Sequence, residues 1–156
     1  MVCFSGFSLN MSHPEPSVMT HVVLYHDAMT DHSFHHTERL KSRKTIGLLF
    51  KSGGGQSYVA YPLRVVWVRL DEGTETAFPA QVALSVPKRT FKTAVQRNRL
   101  KRQIREAYRL HKHELYEKLA AADHRIALML MYVAKEPLPF AEIEKGVAKV
   151  LRKWPG

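Results

Sequence analysis

The sequence predicts an α+β domain with the element order α-β-β-β-α-β-α. Three features support this class. Residues 88–112 have helical periodicity and a strong positive charge, short segments rich in β-branched and aromatic residues precede them, and a continuous apolar run at residues 125–134 follows. A chain of 156 residues with 45% hydrophobic content is long enough for one core and an appendage.

The first 38 residues differ in composition from the rest of the chain. They contain none of the 24 Lys and Arg residues but six of the nine histidines, and they show no sustained periodicity. We therefore interpret residues 1–37 as a disordered, His-rich extension and residues 38–154 as the folded domain. His32, His35 and His36 could meet on one turn, but no second ligand cluster accompanies them, so no metal site is predicted.

A short first helix is predicted at residues 39–51. Its apolar residues recur at helical spacing and comprise Leu40, Ile46, Leu49 and Phe50. The glycines of the Ser52-Gly53-Gly54-Gly55 segment permit the backbone reversal that ends a helix.

Three strands are then predicted before the basic region. The segment LRVVWVRL at residues 63–70 is rich in β-branched and aromatic residues, and a shorter strand at residues 57–61 precedes it. An acidic turn at residues 71–76 separates it from residues 80–86, where Val82, Leu84 and Val86 share one face.

The long basic helix is predicted at residues 93–119, with Thr93 as its cap because the hydroxyl can accept a free amide of the first turn. At about 100° per residue, polar and apolar side chains separate onto two sides. The first side comprises Asn98, Lys101, Arg102, Arg105, Arg109 and Lys112, and the second comprises Leu100, Ile104, Ala107, Tyr108, His111 and Leu115. Such a helix can dock on a core and present cations to phosphates.

The charge of this region favours contact with nucleic acid. Residues 88–112 contain ten Lys or Arg residues and one acid, Glu106. A helix that needs only solubility normally mixes both signs, which weighs against a solvated charged face. A lipid-binding helix would carry Trp, Phe and Leu for insertion, which weighs against a membrane surface.

The chain ends with a strand and a helix. The apolar run at residues 125–134 suits a strand that is buried on both faces. Pro137 and Pro139 break the chain before a last helix. Its apolar stripe comprises Ile143, Val147, Val150, Leu151 and Trp154.

The composition also limits location and chemistry. A single cysteine, Cys3, excludes an internal disulfide framework. The sequence contains no apolar run of the roughly 18 residues that a membrane-spanning helix needs. We therefore expect a cytoplasmic protein. The acids are scattered, and Asp71, Glu72 and Glu75 lie in a predicted turn. Because a protein nuclease needs clustered carboxylates or paired histidines, no catalytic residue is predicted.

Three segments resemble the protein subunit of bacterial ribonuclease P. SVPKR at 85–89, followed by AVQRNRLKRQIREAYR at 94–109, looks like the signature of that family. ERLKSRKTIGLLFKSG at 38–53 is similar to its first helix, and YPLRVVWV at 61–68 to its first long strand. The resemblance implies that the α+β domain is a small α/β sandwich with a ribosomal-protein-like fold. It also implies a left-handed crossover through the long basic helix, an exception to the usual hand.

The resemblance also implies a function. The chain would be a subunit of ribonuclease P (EC 3.1.26.5) that binds the catalytic RNA and the 5′ leader of precursor tRNA. The RNA subunit would hold Mg²⁺ and hydrolyse the phosphodiester bond at the mature 5′ end, and no obligate protein partner is evident. From the residues alone, a structural module for ribosomal or other folded RNA, with no part in tRNA maturation, stays open.

Two groups of site residues follow from the motif positions. The residues expected to bind the RNA subunit are Arg97, Asn98, Arg99, Lys101, Arg102, Arg105 and Arg109. The residues expected to line the leader groove, between the first helix and the sheet, are Arg43, Lys44, Phe50, Trp67, Ser85, Lys88 and Arg89. For Phe50 and Trp67 the alternative is core packing. Ile46 stands where family members often carry a second aromatic residue.

Overall fold

The computed structural model describes residues 33–51, 55–70 and 78–153. The predicted order α-β-β-β-α-β-α is confirmed, with a 3₁₀ helix at His36–Glu38 before it. The elements are α1 (Arg43–Phe50), β1 (Gln56–Ala60), β2 (Leu63–Arg69), β3 (Ala80–Ser85), α2 (Ala94–Ala121), β4 (Ile126–Tyr132) and α3 (Phe140–Arg152). Residues 1–32 of the predicted extension, residues 52–54 of the glycine stop, the acidic turn at residues 71–76 and Trp154 lie outside the described residues.

The first helix begins later than the sequence predicted. Arg39 and Leu40 run beside the edge of β3, where the Leu40 amide donates to the Val82 carbonyl at 3.0 Å. The helix starts only after Ser42, whose hydroxyl accepts from the Thr45 amide. Leu40 fits the helical spacing of the sequence, but it lies before the helix, in the segment that pairs with β3.

The cap predicted for the long helix is confirmed. Thr93 has extended backbone angles, and its hydroxyl accepts from the Gln96 amide at 3.4 Å. The helix continues to Ala121, two residues beyond the predicted end.

The four strands form one mixed sheet in the order β1-β2-β4-β3. β1 pairs with β2, and β2 with β4, in antiparallel fashion, whereas β3 and β4 are parallel and are connected through α2. Gly146 of α3 lies against the β1–β2 turn, where an added Cβ would be 2.9 Å from Cδ of Pro62. A larger residue at this position would push α3 away from the sheet.

Hydrophobic side chains cover both faces of this sheet, as predicted for β4. One face packs against α2 and α3 and contributes Leu63, Val65, Leu128, Leu130 and Tyr132 to the main core. The other face packs against α1 in a smaller cluster, which comprises Leu40, Leu49, Val66, Ala127 and Met129. Within the described residues, no helix combines the length and apolarity needed to cross a bilayer.

The folded part of the chain begins before residue 38. Residues 33–37, assigned from composition to the extension, lie against the domain, and the Phe34 ring meets the Tyr108 ring edge-on with centroids 5.8 Å apart. Glu38 is completely buried. Composition missed this because the contacts join the segment to α2, about 75 residues further along the chain.

Candidate nucleic-acid interface

Helix α2 has the two-sided character that its sequence predicted. Leu100, Ile104, Ala107, Tyr108 and Leu115 are buried in the main core. In the first half of the helix, Asn98, Arg99 and Arg102 are exposed, and Lys101 and Arg105 are partly exposed. This half therefore presents cations and an amide away from the core.

Lys112 is an exception, and its predicted place on the basic side was wrong. Its side chain is buried, and Nζ lies 2.8 Å from Oε1 of Glu38 and 2.5 Å from the carbonyl oxygen of Ser33. His111, predicted to face the core, is only half-buried, with its Nε2 3.2 Å from the Glu144 carboxylate. Lys112 lies at the border of the apolar stripe, and the N-terminal segment covers that border.

A buried polar network surrounds this ion pair. The Tyr116 hydroxyl donates to Oε2 of Glu38 at 2.8 Å, and the His35 amide donates to Oε1 at 3.1 Å. Burial raises the pKa of the Tyr108 and Tyr116 hydroxyls well above the ordinary value. With its carboxylate oxygens hydrogen-bonded to cationic, hydroxyl and amide donors, Glu38 anchors the N-terminal segment to α2.

Two of the predicted RNA-binding arginines also have partners within the chain. Arg97 donates to the carbonyl oxygens of Phe91 and Lys92 at 2.8 and 2.7 Å, which closes the loop before α2. Arg109 forms a bidentate salt bridge with Glu106, in which Nη2 donates to Oε1 at 2.6 Å and Nε donates to Oε2 at 2.9 Å. These hydrogen bonds hold the pKa of Glu106 below its ordinary value. These contacts orient both guanidinium groups.

Three further arginines, Arg39, Arg102 and Arg105, lie near one another, and Arg39 was not among the predicted site residues. The guanidinium carbons of Arg39 and Arg105 lie 5.7 and 5.8 Å from the centroid of the Phe34 ring. Burial, together with the charges of Arg39 and Arg102, lowers the pKa of Arg105. No acidic side chain within the described ranges pairs with these three arginines. The only sequence signal for Arg39 was that it is the first cation of the chain.

The second predicted group lies mainly around α1. Arg43, Lys44 and Phe50 are exposed, and 57% of the Phe50 surface is accessible, so this ring is not a core residue. Ile46 packs partly buried on the cluster beneath α1. Lys88 and Arg89 are exposed just after β3.

The sheet face beneath α1 extends to the end of β3. Side chains alternate between the faces of a strand, so Ser85 shares a face with Ala83, which packs against the cluster beneath α1. Ser85 is half-buried. It therefore lies on the same face as the α1 residues of this group.

Trp67 is separated from this group. Its neighbours Val66 and Val68 face α1, whereas Trp67 packs partly buried against the main core on the opposite face. Its cross-strand partner is Leu128, which is buried in that core. Of the two roles considered for Trp67 from the sequence, groove lining and core packing, this position fits core packing.

Comparison with known proteins identifies the family. A family model described as Ribonuclease P matches residues 34–154. The chain belongs to the ribonuclease P protein family. The ribonuclease P protein component of Porphyromonas gingivalis is 39% identical over 120 residues, which cover 77% of this chain and 85% of that protein. The component from Chlorobaculum tepidum is 32% identical over 102 residues, which cover 63% and 66%.

Solved structures support the fold. The RNase P protein from Thermotoga maritima aligns with a TM-score of 0.57 and 21% identity, covering 76% of this chain and 98% of that one. The RNase P protein of Staphylococcus aureus aligns with a TM-score of 0.56 and 22% identity, covering 74% and 93%. The resemblance found in the sequence is thus confirmed, and the chain functions as the protein subunit of ribonuclease P in precursor tRNA 5′ maturation.

The ribonuclease P family depends on Mg²⁺. Within ranges 33–51, 55–70 and 78–153, no three His, Cys, Asp or Glu side chains converge in a way that could hold a metal ion. The geometry instead provides hydrogen-bond donors and positive charge, which suit phosphate oxygens.

Proposed function

We propose that the exposed side of α2 docks on the RNA subunit of ribonuclease P. The observation that carries this proposal is that the guanidinium groups of Arg39 and Arg105 meet over the Phe34 ring, with the exposed Arg102 one turn earlier on α2. Among the described residues, no acidic side chain pairs with these arginines. Arginine suits the task because its planar fork can bind two phosphate oxygens in register. The other members of this surface are Arg97, Asn98, Arg99, Lys101 and Arg109.

The bond chemistry belongs, in this proposal, to the RNA subunit. That subunit would hold the Mg²⁺ ions, which would activate water and stabilise the leaving oxygen at the mature 5′ end. The protein would contribute binding and orientation through its guanidinium groups.

The groove between α1 and the sheet is proposed to hold the 5′ leader of precursor tRNA. Support comes from the exposed Phe50 ring, on which a base can stack without sequence preference. Arg43, Lys44, Lys88 and Arg89 are exposed around it and would bind phosphates. Trp67 is left out of this group because it packs on the opposite face of the sheet.

The family resemblance also supports a left-handed β3-α2-β4 crossover and a ribosomal-protein-like fold. Strands β3 and β4 are parallel neighbours and α2 connects them, so this connection has a definite hand. A crystal structure of the protein would test the hand, and a right-handed connection, the usual one, would contradict it.

Reconstitution tests the function. The protein is mixed with the RNA subunit and a leader-bearing precursor tRNA at low Mg²⁺. We expect cleavage at the mature 5′ end that requires both components. Cleavage by the protein alone would contradict the proposed division of chemistry.

A single substitution tests the docking surface. Arg102→Ala should weaken binding to the RNA subunit and make the slope of log affinity against log salt shallower by about 1, because one phosphate contact is lost. Lys145→Ala, on the exposed side of α3, removes the same charge and should leave the slope unchanged. Equal slopes for Arg102→Ala and the unmodified protein would exclude this residue from the surface.

A further inference from the structure

A groove of about 500 Å³ lies along the first half of α2, on a different flank from Arg105. It runs between the first half of α2 and the loop that precedes α3. Its lining comprises Gln96, Arg99, Leu100 and Gln103 from α2 and Pro137, Leu138, Pro139 and Phe140 from the loop. Its volume falls within the roughly 300–1,000 Å³ that is usual for sites that bind small organic groups.

The α2 wall of the groove follows helical geometry. Gln96, Arg99 and Gln103 are three and four residues apart, so their side chains project from the same flank. Arg105 projects from another flank, where its guanidinium lies over the Phe34 ring. Arg99 is thus a member of the proposed RNA-binding set that faces this groove.

The loop wall is held in place by hydrogen bonds and by proline. The Tyr132 hydroxyl accepts from the Leu138 amide at 3.0 Å and donates to the Glu136 carbonyl at 2.9 Å. Pro137 and Pro139 restrict the backbone on both sides of Leu138. The groove therefore exists before any ligand binds and needs little ordering to accept one.

The chemistry of the lining is apolar on its floor and polar at its rim. Leu100 is buried, and Leu138 and Phe140 pack partly buried against the main core. Among the described residues, the side chains of Gln96, Arg99 and Gln103 have no hydrogen-bond or ion-pair partner. Two amides, each both donor and acceptor, and one guanidinium are therefore available to a ligand.

We propose that this groove accepts an unstacked nucleobase of the RNA subunit, with the attached phosphate on Arg99. This inference rests on the proposed docking of α2 on that RNA. The apolar floor matches a base face, and the two amides match the hydrogen-bonding edge of a base that has left its helix. Arg99 follows Asn98 and is three residues from Arg102, so the groove is continuous with the proposed docking surface.

The test removes the two amides without changing charge. The double variant Gln96→Leu/Gln103→Leu keeps good helix formers on α2, and Gln56→Leu, exposed on edge strand β1, is the matched control. Affinity for the RNA subunit is measured at several salt concentrations, and RNA bases are probed with a reagent that modifies unpaired nucleobases.

The unmodified protein should protect at least one unpaired base of the RNA subunit, and the double variant should lose that protection. Its affinity should fall about 10-fold, as expected for losing hydrogen bonds to one base, with an unchanged salt slope because no phosphate contact is removed. Gln56→Leu should behave as the unmodified protein. Gln103→Glu, which keeps the residue polar, should also weaken binding, because its charge repels phosphate.

Three results would overturn the inference. The double variant could bind and protect the RNA subunit like the unmodified protein, or it could lose affinity only for the precursor leader. It could also keep its RNA contacts but lose binding to another protein, which would make the groove a protein site. If the unmodified protein fails to bind the RNA subunit at all, the proposed function itself fails, and this outcome is distinct from the other three.

Discussion

The two faces of the sheet are covered very differently. The face with Leu63, Val65 and Leu130 is closed by α2 and α3, whose apolar stripes complete the main core. Among the described residues, the opposite face is covered by one helix, α1, of eight residues, together with Leu40 from the segment before it, and Leu48 and Phe50 are exposed. Both faces belong to the same strands, so the difference arises from the length of the helices that the chain supplies to each side.

This asymmetry separates stability from leader binding. The closed face buries large side chains and the Glu38–Lys112 pair, and it should carry most of the folding free energy. The open face retains an exposed aromatic ring and nearby cations. Burying those charges without partners would cost stability, whereas in the open they can bind a nucleic acid together with the ring. Substitutions on the two faces should therefore affect different measurements.

The largest effect is expected on the closed side, at the buried ion pair. Lys112→Met leaves the Glu38 carboxylate buried without its cation and should lower the free energy of unfolding by about 3–5 kcal/mol. Urea denaturation measures the change. Lys149→Met, on the exposed side of α3, should stay within about 0.5 kcal/mol of the unmodified protein. Equal stability of the two variants would show that the pair does not anchor the N-terminal segment.

An intermediate effect should distinguish the two aromatic residues. Trp67→Leu should lower the free energy of unfolding by about 1–3 kcal/mol, because Trp67 packs on the main core, and leave leader binding intact. Phe50→Ala should change stability by less than about 0.5 kcal/mol. It should weaken the preference for leader-bearing over mature tRNA by about 1–3 kcal/mol, the usual range for one stacked base. If Trp67→Leu weakened leader binding and Phe50→Ala destabilised the protein, the roles assigned to the two faces would be wrong.

The smallest effect concerns alkaline pH. Burial raises the pKa of Tyr116 above the ordinary value of 10.0, so its contribution to stability is complete below pH 10 and declines as pH rises above it. Tyr116→Phe should therefore show a shallower loss of stability above pH 10, measured by urea denaturation at a series of pH values. Tyr61→Phe, at an exposed tyrosine, should keep the slope of the unmodified protein. Identical slopes for Tyr116→Phe and Tyr61→Phe would contradict the burial argument.

Local patterns predicted much of the fold. The strand segments, the Thr93 cap and the apolar stripe of α2 follow from spacing and side-chain chemistry within a few turns of chain. Helical spacing predicted Arg102 on the basic side of α2, and the family resemblance, not spacing, predicted Phe50 as a groove residue; both side chains are exposed. The start of α1 was predicted too early, because pairing of Leu40 with β3 depends on a distant strand.

The sequence by itself determined the element order, the basic side of α2 and, through its motifs, the family. Tertiary structure alone decided that Lys112 is buried, that Trp67 faces the main core and that Gln96, Arg99 and Gln103 line a groove. Periodicity states which residues share a side of an element but not what covers that side. The covering partner can be far away in the chain, as Glu38 is from Lys112, because folding brings distant segments together to bury apolar surface and pair charges.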